Sequence, residues 1–255
     1  MNYDNFTGLI LAAGRGSRLL SLTDDRPKGL VKLAGRSLVD WQSSTMRSCG
    51  LKQIHVVNGY LGHMFDELGF ETITNDKWDT TNMVGSLMCA IERLEGPFLI
   101  SYSDIVYHPS IIHGLLACKG DFVISYDKDW LQLWSDRFDD PLSDAESFKT
   151  DKDNTVIEIG RKVTDVDEIQ GQFMGLLKVS HEGVRWIIEL LNENVGYRSS
   201  LDTTKMLSLL LGKGRRITGH EISGNWCEID DQTDLKVAES YLTSGKLSLV
   251  SEGDL

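Results

Sequence analysis

The chain has 255 residues, 41% of them hydrophobic and 25% charged, with a formal net charge of −12 at pH 7. That length buries a sizeable core in one large α/β domain or in two small ones, of which the single domain is preferred. The acidic balance argues against a broad nucleic-acid or anionic-membrane surface, so any phosphate site has to be a local basic pocket. Cys49, Cys89, Cys118 and Cys227 are scattered with no CxxC pair, which points away from a zinc site or a disulfide framework. Residues 1–8 carry no basic cluster, and no run approaches the roughly eighteen apolar residues of a membrane span, so a cytoplasmic protein is expected.

In chain order, the first informative stretch is Leu9 to Leu30, LILAAGRGSRLLSLTDDRPKGL. It reads as a buried strand ending in Ala12-Ala13-Gly14-Arg15-Gly16-Ser17-Arg18. Glycines at 14 and 16 let the backbone turn sharply and approach a ligand, with amide groups aimed at anionic oxygens. Arg18 and Lys28 add positive charge, and a guanidinium suits two phosphate oxygens at once. A dinucleotide-binding fingerprint would need glycine at 19, where Leu19 stands, and a P-loop would need Gly-Lys-Ser/Thr directly after the glycines. Neither fits, so the loop reads as a polyphosphate cradle of another kind.

Ser37 is a predicted cap for a helix over Leu38 to Cys49, closed by Gly50. Gln53 to Asn58 reads as a strand, 62–69 as a short helix and Phe70 to Thr74 as a strand, an alternation that predicts βαβ units and a mainly parallel sheet. Asn75 to Ala90 joins a polar loop to a helix reaching about Leu94; Thr80, Thr81 and Asn82 either cap that helix or also face a ligand. The strand within Pro97 to Tyr107 ends in Ser103-Asp104, where the carboxylate is either a local cap or emerges at the ligand-binding edge of an open sheet. A helix over Ile111 to Cys118 and a strand over Asp121 to Tyr126 follow.

The pattern then breaks. Asp127 to Thr150 is rich in acids and holds Trp130 and Trp134. It is either a flap packed down by its aromatics or an acceptor pocket, in which indole faces bind a cation, Asp127, Asp129 and Asp136 reinforce that preference, and Arg137 holds the opposite charge. Thr155 to Lys162 and Gln172 to Ser180 read as two strands paired at one side of the main sheet, giving an insertion over about 127–180. Helices are predicted over Val184 to Asn194 and Thr203 to Leu211, and a strand over Arg215 to Glu221. The alternation in Trp226-Cys227-Glu228-Ile229-Asp230 puts Trp226, Glu228 and Asp230 on one face, where either two inward carboxylates call for a cation or Asp230 simply caps the last helix. Thr233 is the expected cap of a last helix to about Leu242, and a loose tail is expected after Leu249.

The opening string matches LxAAGxGxRLxxxTxxxPKxL at Leu11, Ala12, Ala13, Gly14, Gly16, Arg18, Leu19, Thr23, Pro27, Lys28 and Leu30, and so resembles the nucleotidyltransferase signature. Gly29 falls in a position that signature leaves open. The resemblance, nearest to the phosphocholine cytidylyltransferase type, implies one domain over 1–255, α/β, with a Rossmann-like, mostly parallel mixed sheet flanked by helices. It implies a nucleotide pocket of Leu11, Ala12, Ala13, Gly14, Arg15 and Gly16, with Asn82 and Ser86 beside base or ribose. Arg18 would grip the outer phosphates, and Lys28 would neutralise charge growing at the α-phosphorus. Asp104 and Asp230, with Glu228, would hold Mg²⁺. The implied reaction is attack by a small phosphorylated amine or amino-acid-like acceptor (phosphocholine, aminoethylphosphonate or phosphoglutamine) on CTP, with release of pyrophosphate and with the acceptor held by Asp127, Trp130, Trp134 and Arg137. Sugar 1-phosphate nucleotidyl transfer and a non-catalytic nucleotide-binding module are the alternatives. Neither nucleic acid nor membrane is an expected partner, and a homodimer is allowed.

Overall fold

The structure, a computed structural model, describes residues 5–194 and 196–250. Its elements are β1 (Thr7–Ala12), the short pair β2 (Lys32–Leu33) and β3 (Arg36–Ser37), α1 (Leu38–Ser48), β4 (Gln53–Asn58), α2 (His63–Glu67), β5 (Glu71–Thr74), α3 (Met83–Ile91), β6 (Phe98–Tyr102), β7 (Ile105–Tyr107), α4 (Pro109–Ala117) and β8 (Phe122–Asp127). There follow α5 (Trp130–Arg137), β9 (Glu146–Thr150), β10 (Val156–Lys162), β11 (Gln172–Val179), α6 (His181–Glu193), α7 (Tyr197–Ser200), α8 (Thr203–Gly212), β12 (Thr218–Ile222), β13 (Trp226–Glu228) and α9 (Gln232–Ser244).

Seven strands form the main sheet in the order β12-β8-β11-β6-β1-β4-β5. All neighbours run parallel except β11, which is antiparallel to both β6 and β8. β1 lies inside the sheet, and its alternating side chains go to two cores. Ile10 and Ala12 join a cluster with Leu38, Val39 and Met46 of α1, while Leu9 and Leu11 join Val84 and Leu87 of α3 and Leu190 of α6. A strand buried on both faces explains its unbroken apolar run. Each such leucine contributes about 1.5–3 kcal/mol by burial.

The expected α/β architecture is therefore present: a mixed, mostly parallel sheet flanked by helices. Three local expectations change. β11 is not paired with β10 beside the sheet but sits at its middle; β10 pairs with β9 in a separate two-stranded ribbon. Residues 128–171 are thus the true excursion, leaving from β8 and returning as its antiparallel neighbour. The cap of α9 is Asp231, whose carboxylate accepts from the amides of Thr233 and Asp234, a better acceptor for a helix N-terminus than the Thr233 hydroxyl. Ser37 caps α1 as expected, accepting from Asp40 N. The expected tail lies, from Ser251 on, outside the described residues. Among the described residues no helix is long and apolar enough to cross a membrane.

Candidate active site

The loop after β1 is shaped by its own sequence. Gly16 has φ 75°, and a Cβ there would meet Lys28 Cβ at 2.6 Å, so the position requires glycine both for its left-handed backbone and for close approach of Lys28. Thr23 ties the far end back: its Oγ1 donates to the carbonyls of Gly16 at 3.1 Å and Leu20 at 3.2 Å. Pro27, extended at φ −66° and ψ 156°, starts a single 3₁₀ turn that carries Lys28 inward, and Lys28 is 8% exposed.

Two carboxylates hold that lysine, and a third, Glu228, lies beside them. Lys28 Nζ donates to Asp104 Oδ2 at 2.7 Å and also to Asp230 Oδ1. Asp104 stands in the turn between β6 and β7, Glu228 ends β13, and Asp230 follows it two residues on. β13 is positioned by antiparallel pairing with β7, which sets Glu228 opposite Ile105, next to Asp104. Arg18 Nη2 meets Asp230 Oδ1 at 2.8 Å with 64% of its side chain exposed. Arg137, from α5, donates to Glu228 Oε2 at 2.6 Å and to Asp234 at 2.9 and 3.1 Å.

This charge network sets the protonation. Burial works to lower the Lys28 pKa, but Asp104 and Asp230 outweigh it and push it up to about 12, so the ammonium stays charged. Burial pushes the Glu228 carboxyl up to about 7 against the opposing pull of Arg137. For Asp230 burial also acts upward, but Lys28, Arg18 and Arg137 outweigh it and hold the carboxyl below its usual range.

Ligand oxygens of Asp104, Glu228 and Asp230 lie within 4.8 Å of one another. Asp104 Oδ1 is buried with no hydrogen-bond partner, an unusual debt for a carboxylate and one that a cation would settle. An all-oxygen, anionic donor set with room for water suits a hard divalent ion such as Mg²⁺. The residues present therefore fit the metal.

A cleft of about 220 Å³ adjoins the cluster and is lined by Leu11, Ala13, Gly14, Gly16, Lys28, Asn82, Ser86 and Asp104, together with Trp78, Thr81, Met83 and Ser103. Two separate parts of the sequence reading thus meet in one pocket. Asn82 caps α3 through Met83 N, as the capping reading expects, and it also lines the cleft. Ser86 Oγ is held by Asn75 Nδ2 at 3.0 Å. Ala12 lies beneath the loop, 2% exposed, and Arg15 pairs with Asp24 at 2.8 Å rather than lining the cleft. Trp78 carried no sequence signal beyond its place in the polar string before α3.

The segment expected to hold the acceptor folds differently. Trp130 and Trp134 are 4% and 3% exposed, packed edge to face at 5.9 Å, with Trp134 against Trp226 at 6.2 Å. No indole face is left for a soluble cation, and the packing reading replaces the pocket reading. Asp127 is also buried, accepting from Trp226 Nε1 at 2.8 Å and from the amides of Asp129 and Gly224, so its lone pairs serve the turn after β8. The Arg137 side chain has 0% exposure and is committed to carboxylates of the protein. All four residues depart from the acceptor role expected of them.

Comparison with known proteins agrees with this geometry. The family model of the MobA-like NTP transferase domain matches residues 8–158. The CTP:phosphoglutamine cytidylyltransferase of Campylobacter jejuni is 36% identical over 247 residues, which are 90% of this chain and 97% of that protein. The choline-phosphate cytidylyltransferase of Streptococcus pneumoniae is 32% identical over 103 residues, 39% of this chain and 45% of that one. Among solved structures, an inositol-1-phosphate CTP transferase from T. maritima superposes with TM-score 0.75 at 22% identity, over 97% of this chain and 100% of that chain. That last likeness is one of fold.

Proposed function

The chain belongs to the MobA-like NTP transferase domain family, and from that premise we propose that it is a Mg²⁺-dependent CTP:phosphoglutamine-type cytidylyltransferase, transferring CMP to a small phosphorylated amino-acid-like acceptor with release of pyrophosphate. The observation that carries the reading is the junction of the glycine-lined cleft with the Asp104, Glu228 and Asp230 cluster around Lys28. The acceptor class draws its support from the C. jejuni relative, similar over nearly the full length of both chains.

Such a transfer asks little covalent chemistry of the protein; alignment and charge neutralisation supply the rate. The cleft holds the nucleotide, with Asn82 and Ser86 positioned for base or ribose and the Ala13 to Gly16 backbone free to approach phosphates. Lys28, permanently charged, faces the charge that grows around the α-phosphorus. Arg18, largely exposed beside Asp230, is placed to reach the outer phosphates that leave. Asp104, Glu228 and Asp230 would hold Mg²⁺, which neutralises phosphate charge when bound.

The test is a pyrophosphate-release screen of the four common NTPs against phosphoglutamine, phosphocholine, aminoethylphosphonate and glucose 1-phosphate. CTP with phosphoglutamine is expected to give the highest kcat/KM, and Asp104→Asn to abolish release with the fold intact by circular dichroism. Turnover with glucose 1-phosphate alone would overturn the acceptor class, and an active Asp104→Asn enzyme would overturn the metal assignment.

A further inference from the structure

We infer that Arg137 is a positioning residue for the metal site: its guanidinium, locked by Asp234, fixes the separation and orientation of Glu228 and Asp230. The inference rests on the reading of those two carboxylates and Asp104 as metal ligands.

The geometry is specific. Asp234 takes Arg137 in a two-pronged grip, Oδ1 from Nε at 2.9 Å and Oδ2 from Nη2 at 3.1 Å. The same Oδ2 accepts the backbone N–H of Asp230 at 2.8 Å. One carboxylate therefore holds both the guanidinium and the main chain of a ligand residue. The one remaining nitrogen, Nη1, meets Glu228 Oε2 at 2.6 Å, and Nη2, shared with Asp234, also lies 3.5 Å from Asp230 Oδ2. Because the guanidinium is a rigid plane, these contacts set the spacing of two carboxylates two residues apart, one at the end of β13 and one just beyond it.

The plane is itself held. Its centre lies 5.1 Å from the Trp134 ring centroid and 4.9 Å from that of Phe138. The pairing is also a matter of register. Trp134 and Arg137, three apart on α5, meet Trp226 and Glu228, two apart on β13. Arg137 does not line the nucleotide cleft, so it acts through the ligands. Asp230 Oδ1 is left to Lys28 and Arg18. The two oxygens of that carboxylate are thus divided between a group that faces substrate and a group that sets position.

The test uses the full chain and reads Mn²⁺ binding by electron paramagnetic resonance beside steady-state kinetics. Asp234→Asn keeps the volume and leaves Arg137 in place; Arg137→Lys keeps the charge without the fork. Outer partners of metal ligands typically contribute 10- to 100-fold in affinity. Asp234→Asn is expected to weaken Mn²⁺ binding about 10-fold or more, Arg137→Lys to fall between it and wild type, and the CTP KM at saturating metal to move less than about twofold for both. In a Glu228→Gln background the Arg137→Lys effect on Mn²⁺ should shrink, because only the longer contact to Asp230 remains for it to act through. A folded Asp234→Asn protein with wild-type Mn²⁺ affinity overturns the inference and leaves Arg137 with packing alone. A wild-type protein that binds no Mn²⁺ removes the metal reading instead, and the inference with it.

Discussion

The stretch after β1 and the stretch after β8 leave the same edge of the same sheet, and both are rich in residues that bind ligands, yet they fold in opposite senses. The first is aperiodic, with glycines at 14 and 16 and its arginines exposed, and it opens onto a cleft. The second places Trp130, Leu133, Trp134 and Arg137 at i, i+3, i+4 and i+7 of α5, all buried, with Leu131, Gln132 and Asp136 exposed. That spacing is the stripe of a helix facing a core. What separates the two is periodicity: aromatic content alone does not distinguish a binding face from a packing face.

The contrast breaks if the aromatics bind substrate. Trp134→Ala is expected to cost about 3–5 kcal/mol of stability through the cavity it leaves, read as a fall in urea midpoint, with the KM for the acceptor changed less than about twofold. A raised acceptor KM in a stable variant would restore the pocket reading. On the outward side, Lys28→Ala is expected to reduce kcat by roughly 10²–10³, as for other preorganised electrostatic donors; near-normal turnover would remove Lys28 from the chemistry.

A smaller effect serves as a control outside both regions. His220, on edge strand β12 with Nδ1 3.0 Å from Ser125 Oγ, has its pKa lowered from 6.5 to about 4, by burial first and Lys178 second. A depressed histidine costs nothing above the unfolded value. As pH falls from 6.5 toward 4 the unfolded chain takes up the proton first, and stability is lost. Allowing for its partial exposure, the loss from this group is about 1–2 kcal/mol. Stability curves of wild type and His220→Gln from pH 7 to 4 should converge or cross by that amount, with kcat at pH 7 unchanged. Parallel curves would show that His220 titrates normally.

The parts of the site visible in the sequence were those whose roles are local. Gly14, Gly16, Arg18 and Lys28 act within one loop, so their spacing marked a phosphate cradle, while the match to the nucleotidyltransferase signature brought in Thr23 and Pro27 and chose between the two readings of Asp104 at the end of β6. The alternation before α9 singled out Glu228 and Asp230, and register with β7 brings them to Asp104. Arg137 and Asp234 were opaque because each makes sense only against the other, 97 positions away. Asp234 looks like an ordinary acid in the first turn of a helix. β11 was misplaced for a similar reason: nothing in Gln172 to Val179 says that its neighbours are β6 and β8 rather than the adjacent β10.

Within the site, Asp104, Glu228, Asp230 and Asp234 face Lys28, Arg18 and Arg137, four carboxylates against three cations packed at contact distance. Nearby charge almost cancels, while the chain as a whole carries −12. A nucleotide polyanion therefore meets repulsion on the way in and compensation only on arrival. Ionic strength acts on the two stages unequally: shortening the Debye length from about 30 Å at 0.01 M to about 8 Å at 0.15 M screens the far field and leaves the buried pairs little altered. Salt thus favours encounter here, the reverse of its effect on a basic nucleotide-binding surface, and a nucleotide that arrives already paired with a divalent ion has the lower barrier to cross.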